Sequence, residues 1–202
     1  MKLSTCLNQF FVQYLPHIKG SRRATIHAYR DTYRLLLPFA ADYYHIKIAS
    51  LRIEHLTVEM IIAFLNHLEQ NRKNTARTRN LRLVAIKSLA KMMRFMHPQY
   101  RKLADPILAI PQKRIQKKLI GYLYPEEIMA VFNAVDLKKS EGLRDYCLLH
   151  LLFDSGARVT EVATLDIDDF DARNQTLAIL GKGNRFRQIE MRPKTCELIT
   201  MY

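Results

Sequence analysis

Hydrophobic residues in the first half of the chain recur at helical spacing, and caps and breakers divide that half into four predicted helices. In chain order the predicted helices span residues 3–15, 22–44, 57–69 and about 74–96. Ser21, Thr57 and either Asn74 or Thr75 stand where N-caps are expected, because the oxygen of such a side chain can accept a hydrogen bond from the first turn. His97 ends the last helix, since the proline after it disfavours helical backbone.

The second half of the chain mixes helices with short strands. Helical patterns cover about 125–135, 143–154 and 159–165, and another helix begins at 194. Short segments with aliphatic or aromatic residues among polar ones, at 167–170, 176–180 and 186–191, predict three strands. Glycines at 181 and 183 predict a tight hairpin between the last two. The pattern therefore predicts an α+β domain with a small antiparallel three-stranded sheet.

Prolines and basic residues separate the two halves. Residues 98–118 hold Pro98, Pro106 and Pro111, and their end is crowded with basic side chains. We therefore expect a four-helix domain over 1–97, a basic linker over 98–118 and an α+β domain over 119–202. The expected fold class is mainly α, with the only sheet in the second domain.

The net charge of the chain is strongly positive. Its 202 residues carry 32 Lys and Arg against 19 Asp and Glu, a formal net charge of +13. Such an excess attracts polyanions, of which nucleic acid is the commonest. A membrane surface or a ribosome is the alternative, and charge alone does not choose between them. No segment is apolar enough to cross a bilayer, and the N-terminus lacks a signal-peptide pattern.

The three cysteines give no sign of a metal site. Cys6, Cys147 and Cys196 lie far apart, without a Cys-x-x-Cys or Cys/His cluster. Neither a disulfide framework nor a zinc site is predicted, and reduced thiols are typical of a cytoplasmic protein. We expect no metal, no cofactor, no small-molecule ligand and no membrane contact.

The fourth predicted helix separates apolar from basic residues. Its apolar stripe, expected to face the core, consists of Leu81, Ala85, Leu89, Met92, Met93 and Met96. Its basic face consists of Arg77, Arg79, Lys87, Lys91 and Arg94, with Arg82 breaking the separation. From 71 to 118 the only acidic residue is Asp105. Positive side chains on one face repel one another, and binding to phosphate relieves that repulsion, so we predict that this face contacts DNA. An ordinary solvated face is the alternative. The linker residues Lys113, Arg114 and Lys117 are predicted to follow the same phosphate backbone.

An arginine after a glycine turn is the first candidate for chemistry. The predicted helix 143–154 ends near Gly156, Arg158 begins the next helix, and Glu161 stands on the same helical face. A guanidinium held beside a helix N-terminus suits a phosphate, because both present donors and positive charge. A surface Arg–Glu ion pair is the alternative.

A lysine between two glycines is the second candidate. Lys182 stands between Gly181 and Gly183 at the tip of the predicted hairpin. A lysine there can reach into a groove and, with a lowered pKa, donate a proton. A solvated turn residue is the alternative, and the P-loop spacing is absent. Arg185 follows the turn and is a further predicted DNA contact.

The order of these motifs resembles the tyrosine recombinases, also called the phage integrase family. The matching segments are Gly156-Ala-Arg158-Val-Thr-Glu161-Val162, Leu165-Asp-Ile-Asp-Asp169-Phe170 and Gly181-Lys182-Gly183. Ser21-Arg-Arg-Ala-Thr25-Ile-His-Ala-Tyr29 is similar to a helix opening in the family's helical core-binding domain. The resemblance covers nearly the whole chain and implies a core-binding (SAM-like) domain followed by the first part of the catalytic domain.

The resemblance also implies roles for individual residues. Arg158 would neutralise charge on the scissile phosphate as the transition state forms, and Lys182 would protonate the leaving 5′ oxygen. Glu161 would support Arg158. The intact family member binds double-stranded DNA, works in assemblies on paired sites and recombines or integrates DNA through a phosphotyrosine link. Integrase, transposase and resolvase roles all stay open.

The family completes its site with a His-x-x-Arg segment, a further His or Trp, and a nucleophilic Tyr, all after the hairpin. The one His-x-x-Arg here, at 27–30, lies in the first domain, and nothing of the second motif precedes Tyr202. We therefore expect a truncated site without a nucleophile. One alternative is a non-enzymatic DNA-binding regulator or architectural protein of the same fold. Another is a basic helical protein whose partner is RNA or protein.

Overall fold

The computed structural model describes residues 1–116, 121–181 and 185–202, and the chain forms two compact units. One unit comprises Met1–Lys118 and the other Leu119–Tyr202. We call them the helical unit and the sheet unit. The predicted fold class, mainly α with a helical N-terminal part and a small antiparallel sheet of three strands, is confirmed.

Five α-helices form the described part of the helical unit. They are α1 (Leu3–Gln9), α2 (Arg23–Tyr43), α3 (Val58–Gln70), α4 (Ala76–Met96) and α5 (Arg101–Ala109). Short 3₁₀ turns lie at Ile48–Ser50, Ile53–His55 and Pro98–Tyr100. Their apolar faces share one core, in which Phe10, Leu36 and Phe64 have no exposed surface.

The start of the chain departs from the prediction at Pro16. Helix α1 continues as a π-helix over Phe10–Ile18, in which the N–H of Lys19 donates to the C=O of Tyr14 at 2.8 Å. Pro16 lies inside this π-helical segment, so the prediction that the helix ends before it is wrong.

Two of the three predicted cap sites carry a side-chain cap, and of Asn74 and Thr75 it is Thr75 that caps α4. Thr57 Oγ1 accepts from the N–H of Met60, and Thr75 Oγ1 accepts from the N–H of Thr78, both at 3.3 Å. Ser21 does not cap α2. The helix begins at Arg23, one residue after its predicted start, and its N-cap residue Arg22 makes no side-chain hydrogen bond.

Helix α5 occupies much of the segment predicted to be a linker. Ala104, Ile107 and Ile110 are buried in the core of the helical unit, and α5 packs along α4. The burial of these apolar side chains outweighs the unfavourable Pro106 inside the helix. The extended segment therefore begins only after Ile110, and the linker predicted over 98–118 is corrected accordingly.

In the part of the sheet unit that the structure describes, three short strands lie beside four helices. The helices are α6 (Pro125–Asn133), α7 (Gly142–Ser155), α8 (Val159–Val162) and α9 (Pro193–Met201). The strands β1 (Phe170–Asp171), β2 (Thr176–Leu180) and β3 (Phe186–Glu190) pair in that order, all antiparallel. The first predicted strand is mostly a 3₁₀ turn, Ile167–Asp169.

The core of the sheet unit is small. Its buried cluster consists of Leu151, Val162, Leu177, Ile179, Met191 and Cys196. An apolar groove of about 600 Å³ lies open beside it, lined among others by Leu148, Phe170 and Ile199. The unit therefore leaves much apolar surface accessible.

The cysteines are buried thiols. Burial raises the pKa of Cys6 to about 11, and it also raises the pKa of Cys147 and of Cys196. Within the described ranges, no group of three or more His, Cys, Asp or Glu side chains is placed to hold a metal ion. None of the helices described is both long and apolar enough to span a membrane.

Candidate functional site

Helix α7 ends in a left-handed glycine that turns the chain toward Arg158. Gly156 has φ 58° and ψ 21°, a conformation that glycine adopts without strain. Ser155 reinforces this end: its Oγ donates to the C=O of Leu151 at 2.6 Å and accepts from the N–H of Ala157 at 3.1 Å. The backbone that carries Arg158 is therefore fixed from two sides.

Arg158 and Glu161 are brought together as predicted from their spacing. Arg158 Nη1 donates to Glu161 Oε1 at 2.7 Å, and the N–H of Arg158 donates to Oε2 at 3.0 Å. The Glu161 side chain is 6% exposed, whereas that of Arg158 is 66% exposed. One edge of the guanidinium is thus fixed on a buried carboxylate while the rest faces solvent. Helix α8 is a single turn, so this carboxylate, rather than a helix N-terminus, positions the guanidinium.

A second arginine shares the same carboxylate. Arg187, on β3, donates from Nη2 to Glu161 Oε2 at 2.9 Å. The hydrogen bonds from Arg187 and from the backbone and side chain of Arg158 lower the pKa of Glu161 to about 2. The carboxyl is therefore ionised at neutral pH. The cluster of Arg158, Glu161 and Arg187 contains two cations and one anion, so its net charge is +1.

Arg187 is not among the site residues predicted from the sequence, although strand alternation holds a signal for it. Along β3 the half-buried positions are those of Arg187 and Ile189. An arginine on the inner face of a strand needs a partner, because a buried charge is rarely left unpaired.

The end of β2 lies against this cluster. A Cβ added to Gly181 would stand 3.1 Å from Arg187 Nη1 and 3.4 Å from Glu161 Oε1. The N–H of Gly181 donates to the C=O of Arg185 at 2.8 Å, and the Arg185 side chain is exposed. The base of the hairpin is therefore beside Arg158's carboxylate partner. Lys182 lies outside the described residues, so its position stays a prediction.

On α4 the structure corrects the predicted basic face at Arg79. This residue is 5% exposed, and its Nε lies 3.5 Å from Glu69 Oε2 at the end of α3. The predicted exposure of Arg79 is therefore wrong, because α3 covers that part of α4.

Lys87 and Arg94 are engaged by α5. Lys87 Nζ donates to the C=O of Leu108 at 2.7 Å, and Arg94 Nη1 lies 3.6 Å from Asp105 Oδ1. Both contacts are made with α5, a helix that the sequence pattern does not predict. Arg77 and Lys91 are the members of the predicted basic face that remain exposed without such a contact, and their DNA contact stays a prediction. Leu81, expected in the core, is 62% exposed.

The start of the basic segment after α5 is anchored to α3 and α4. The side chain of Asn80 donates to the C=O of Lys113 at 2.8 Å and accepts from its N–H at 3.0 Å. Lys113 Nζ donates to Glu69 Oε2 at 2.7 Å. Arg114 is exposed, whereas Lys117 lies outside the part of the chain that the structure describes.

Lys19 lies beside the lysines of α4, a contact that the sequence pattern does not predict. Lys19 Nζ donates to Ser88 Oγ at 3.0 Å, although the two residues are 69 positions apart. Burial lowers the pKa of Lys19 and that of Lys87, and the charge of Lys91 lowers both further. Lys91 therefore repels both Lys19 and Lys87, and an anion bound beside them would relieve that repulsion.

Comparison with known families places both halves of the chain. Residues 121–202 match the model described as the phage integrase family. Residues 8–94 match the model described as the phage integrase, N-terminal SAM-like domain.

Curated relatives match over most of this chain. Two putative integrase/recombinases of Sinorhizobium fredii, y4rC and y4rD, are each 34% identical, over 186 and 189 residues. These matches cover 92% and 93% of this chain, and 56% and 67% of the relatives. The tyrosine recombinase XerD of Staphylococcus epidermidis is 28% identical over 200 residues, 97% of this chain and 64% of that protein. The chain therefore spans roughly six tenths of the length of these relatives.

Solved structures share the fold. The Tn1549 transposon integrase in complex with a circular intermediate DNA has a TM-score of 0.66 at 12% identity, covering 97% of this chain and 63% of that one. The XerH site-specific recombinase bound to a palindromic difH substrate has a TM-score of 0.64 at 19% identity, covering 98% of this chain and 60% of that one.

Proposed function

Because the chain belongs to the phage integrase family of tyrosine recombinases, we propose that it binds double-stranded DNA and that Arg158 holds the phosphate at which strands are exchanged. One observation carries the proposal: the buried Glu161 fixes one edge of a guanidinium whose other edge is open to solvent. Strand exchange builds negative charge on the phosphate oxygens, and a fixed guanidinium stabilises that charge in the transition state. The XerH and Tn1549 structures, which hold DNA, support a DNA partner.

The two units take separate parts in this proposal. We propose that the helical unit is the core-binding domain, which holds duplex DNA through exposed basic residues such as Arg77 and Lys91. The sheet unit is the first part of the catalytic domain, with Arg158 as the phosphate ligand and Lys182 as the acid for the leaving 5′ oxygen. Assembly on paired DNA sites belongs to the same proposal.

Footprinting of arginines tests the phosphate contact directly. Phenylglyoxal modifies accessible guanidinium groups, and mass spectrometry reads each site separately. With a saturating duplex at low salt, we expect the modification of Arg158, Arg77 and Arg185 to slow several-fold, because phosphate covers them. Arg173, exposed in the β1–β2 turn, is the matched control and stays reactive.

The pattern of protected arginines distinguishes failure of the phosphate ligand from failure of the DNA partner. Protection of Arg77 with Arg158 as reactive as Arg173 would contradict the phosphate ligand and favour a regulator that binds DNA without strand exchange. If no arginine is protected, and duplex affinity is also absent at low salt, the DNA partner itself is wrong.

We further propose that residues 1–202 alone form no covalent link with DNA. After Gly181 they contain no His-x-x-Arg segment, so Arg158 lacks the second arginine and the histidine of the family's site. Incubation with a nicked suicide substrate should give no protein–DNA adduct on a denaturing gel. An adduct that maps to Tyr202 would contradict this proposal.

A further inference from the structure

The ion pair between Arg158 and Glu161 has no net charge, which matters for binding a phosphate. One guanidinium and one carboxylate in contact at 2.7 Å cancel each other's charge at a distance. A phosphate approaching that pair alone would meet almost no net attraction. A phosphate-binding arginine held in this way needs a further source of positive charge.

Arg187 is that source. Its Nη2 lies 2.9 Å from Glu161 Oε2, so one carboxylate is shared by two guanidinium groups and the net charge is +1. Glu161 accepts three hydrogen bonds: one from the backbone and one from the side chain of Arg158, and one from Arg187. Because both carboxylate oxygens of Glu161 are occupied, its single negative charge is divided between the two arginines and neutralises neither of them fully.

The backbone around Arg187 is shaped for this contact. Arg187 comes from β3, whereas Arg158 follows α7, so Glu161 links two elements that are distant along the chain. Gly181, next to β3, has no side chain in the space beside Arg187 Nη1, where a Cβ would stand 3.1 Å away. The Arg187 side chain is 37% exposed against 66% for Arg158, so Arg158 is the more accessible of the two.

We propose that Arg187 is a positioning residue that, by sharing the Glu161 carboxylate, leaves the Arg158–Glu161 pair with a net positive charge beside it and fixes the direction of Arg158. The inference rests on the proposed function, because it needs Arg158 to be the group that meets phosphate. It extends that function, since the charge of the site then depends on a strand residue that never contacts the DNA.

Titration with dimethyl phosphate, a minimal phosphodiester, tests the inference at constant ionic strength. The readouts are the NMR signals of the Arg158 and Arg187 side-chain Nε–H groups. In the wild type we expect the Arg158 signal to shift and that of Arg187 to stay. Arg187→Met should weaken binding about five- to tenfold, the effect of removing one charge a few ångströms away in a mostly aqueous setting. Arg187→Lys, which restores the charge, should recover affinity to within about threefold of the wild type.

Two further measurements separate positioning from general damage. Arg173→Met removes the same charge at the opposite end of β2 and should leave the affinity unchanged. The titration of the Glu161 carboxyl, followed by carbon NMR, should move up in Arg187→Met and return in Arg187→Lys. A loss of stability alone would not produce this pattern.

Failure of the inference and failure of the proposed function look different. If the Arg158 signal does not respond to dimethyl phosphate in the wild type, the phosphate ligand is wrong, and this inference with it. If it responds equally in the wild type and in Arg187→Met, only the inference is overturned. A wild-type titration in which Arg187 shifts most would make Arg187 itself the ligand and overturn its positioning role, even if the Met variant does not fold.

Discussion

The helical unit buries a larger share of its large hydrophobic residues than the sheet unit, which leaves many of its own at the surface. Phe10 and Phe64 are fully buried in a core to which α1 to α5 and the π-helix all contribute. In the sheet unit Ile167 is 89% exposed and Phe186 66%, and the buried cluster holds six residues. The unit with the larger core carries no candidate catalytic residue, and the unit with the smaller core carries Arg158.

Packing around one element explains the difference. In the helical unit α4 is contacted by α2, α3 and α5, so both its apolar stripe and part of its basic face are covered. In the sheet unit the small sheet and α7 enclose little volume, and the groove of about 600 Å³ stays open. Stability and candidate chemistry therefore lie in different parts of the chain, and changes to one part should leave the other intact.

The largest expected effect is the loss of a core aromatic from the helical unit. Phe64→Ala removes a fully buried ring and should destabilise this unit by about 3–5 kcal/mol, the usual range for such a cavity. Phe95→Ala, at a position 68% exposed, is the matched control and should change stability by less than about 0.5 kcal/mol. Calorimetry should show the helical-unit transition fall while that of the sheet unit stays. A joint shift of both transitions would contradict the separation of the units.

A core leucine of the sheet unit should matter less. Leu177 is 2% exposed but lines the open groove, so a cavity left there is continuous with solvent. Leu177→Ala should cost about 2 kcal/mol, near the low end of the range for buried leucines. Leu36→Ala, at a fully buried position of the helical unit, should cost about 4 kcal/mol. Equal costs in urea unfolding would mean that the groove is closed in solution.

The charge cluster gives the sheet unit a pH dependence of its own. Arg187 and Arg158 hold the pKa of Glu161 near 2 in the folded state, against an ordinary value of 4.5. A depressed carboxyl pKa stabilises the fold fully above about pH 4.5, and this contribution is lost as the pH falls toward 2.

Glu161→Gln should therefore lower the melting temperature of the sheet unit at pH 7, with the difference from the wild type shrinking between pH 4.5 and pH 2. Glu190→Gln changes an exposed carboxyl on β3 and should show neither effect. A constant difference across that pH range would show that the ion pairs add nothing to the fold.

Features that depend on neighbours close in sequence could be predicted, whereas those that depend on residues distant in sequence could not. The bounds of α2, α3 and α4, the caps Thr57 and Thr75, and the Arg158–Glu161 pair depend on residues within a turn or two of one another. The helical period is sensitive to that range. The Arg187–Glu161 bond spans 26 positions and the Lys19–Ser88 bond 69, so no local pattern could predict them.

Helix α5 was missed for a related reason. Pro106 masks the local helical signal, while the contacts that stabilise α5 are made with α4. Without α5, the sequence pattern of α4 predicts one buried stripe and one exposed basic face. The burial of Arg79 and the contacts of Lys87 and Arg94 all follow from helices packing on that second face.

The smallest expected effect separates a surface arginine of α4 from a buried one. Arg77 is exposed, whereas Arg79 is paired with Glu69 inside the helical unit. If Arg77 contacts a phosphate, Arg77→Ala should weaken duplex binding a few-fold and reduce the slope of log affinity against log salt by about one. Arg79→Ala should lower the stability of the helical unit and leave the slope unchanged, measured by anisotropy of a labelled duplex well below the melting temperature. An equal loss of slope in both variants would place both guanidinium groups on DNA, which requires Arg79 to leave Glu69 when DNA binds.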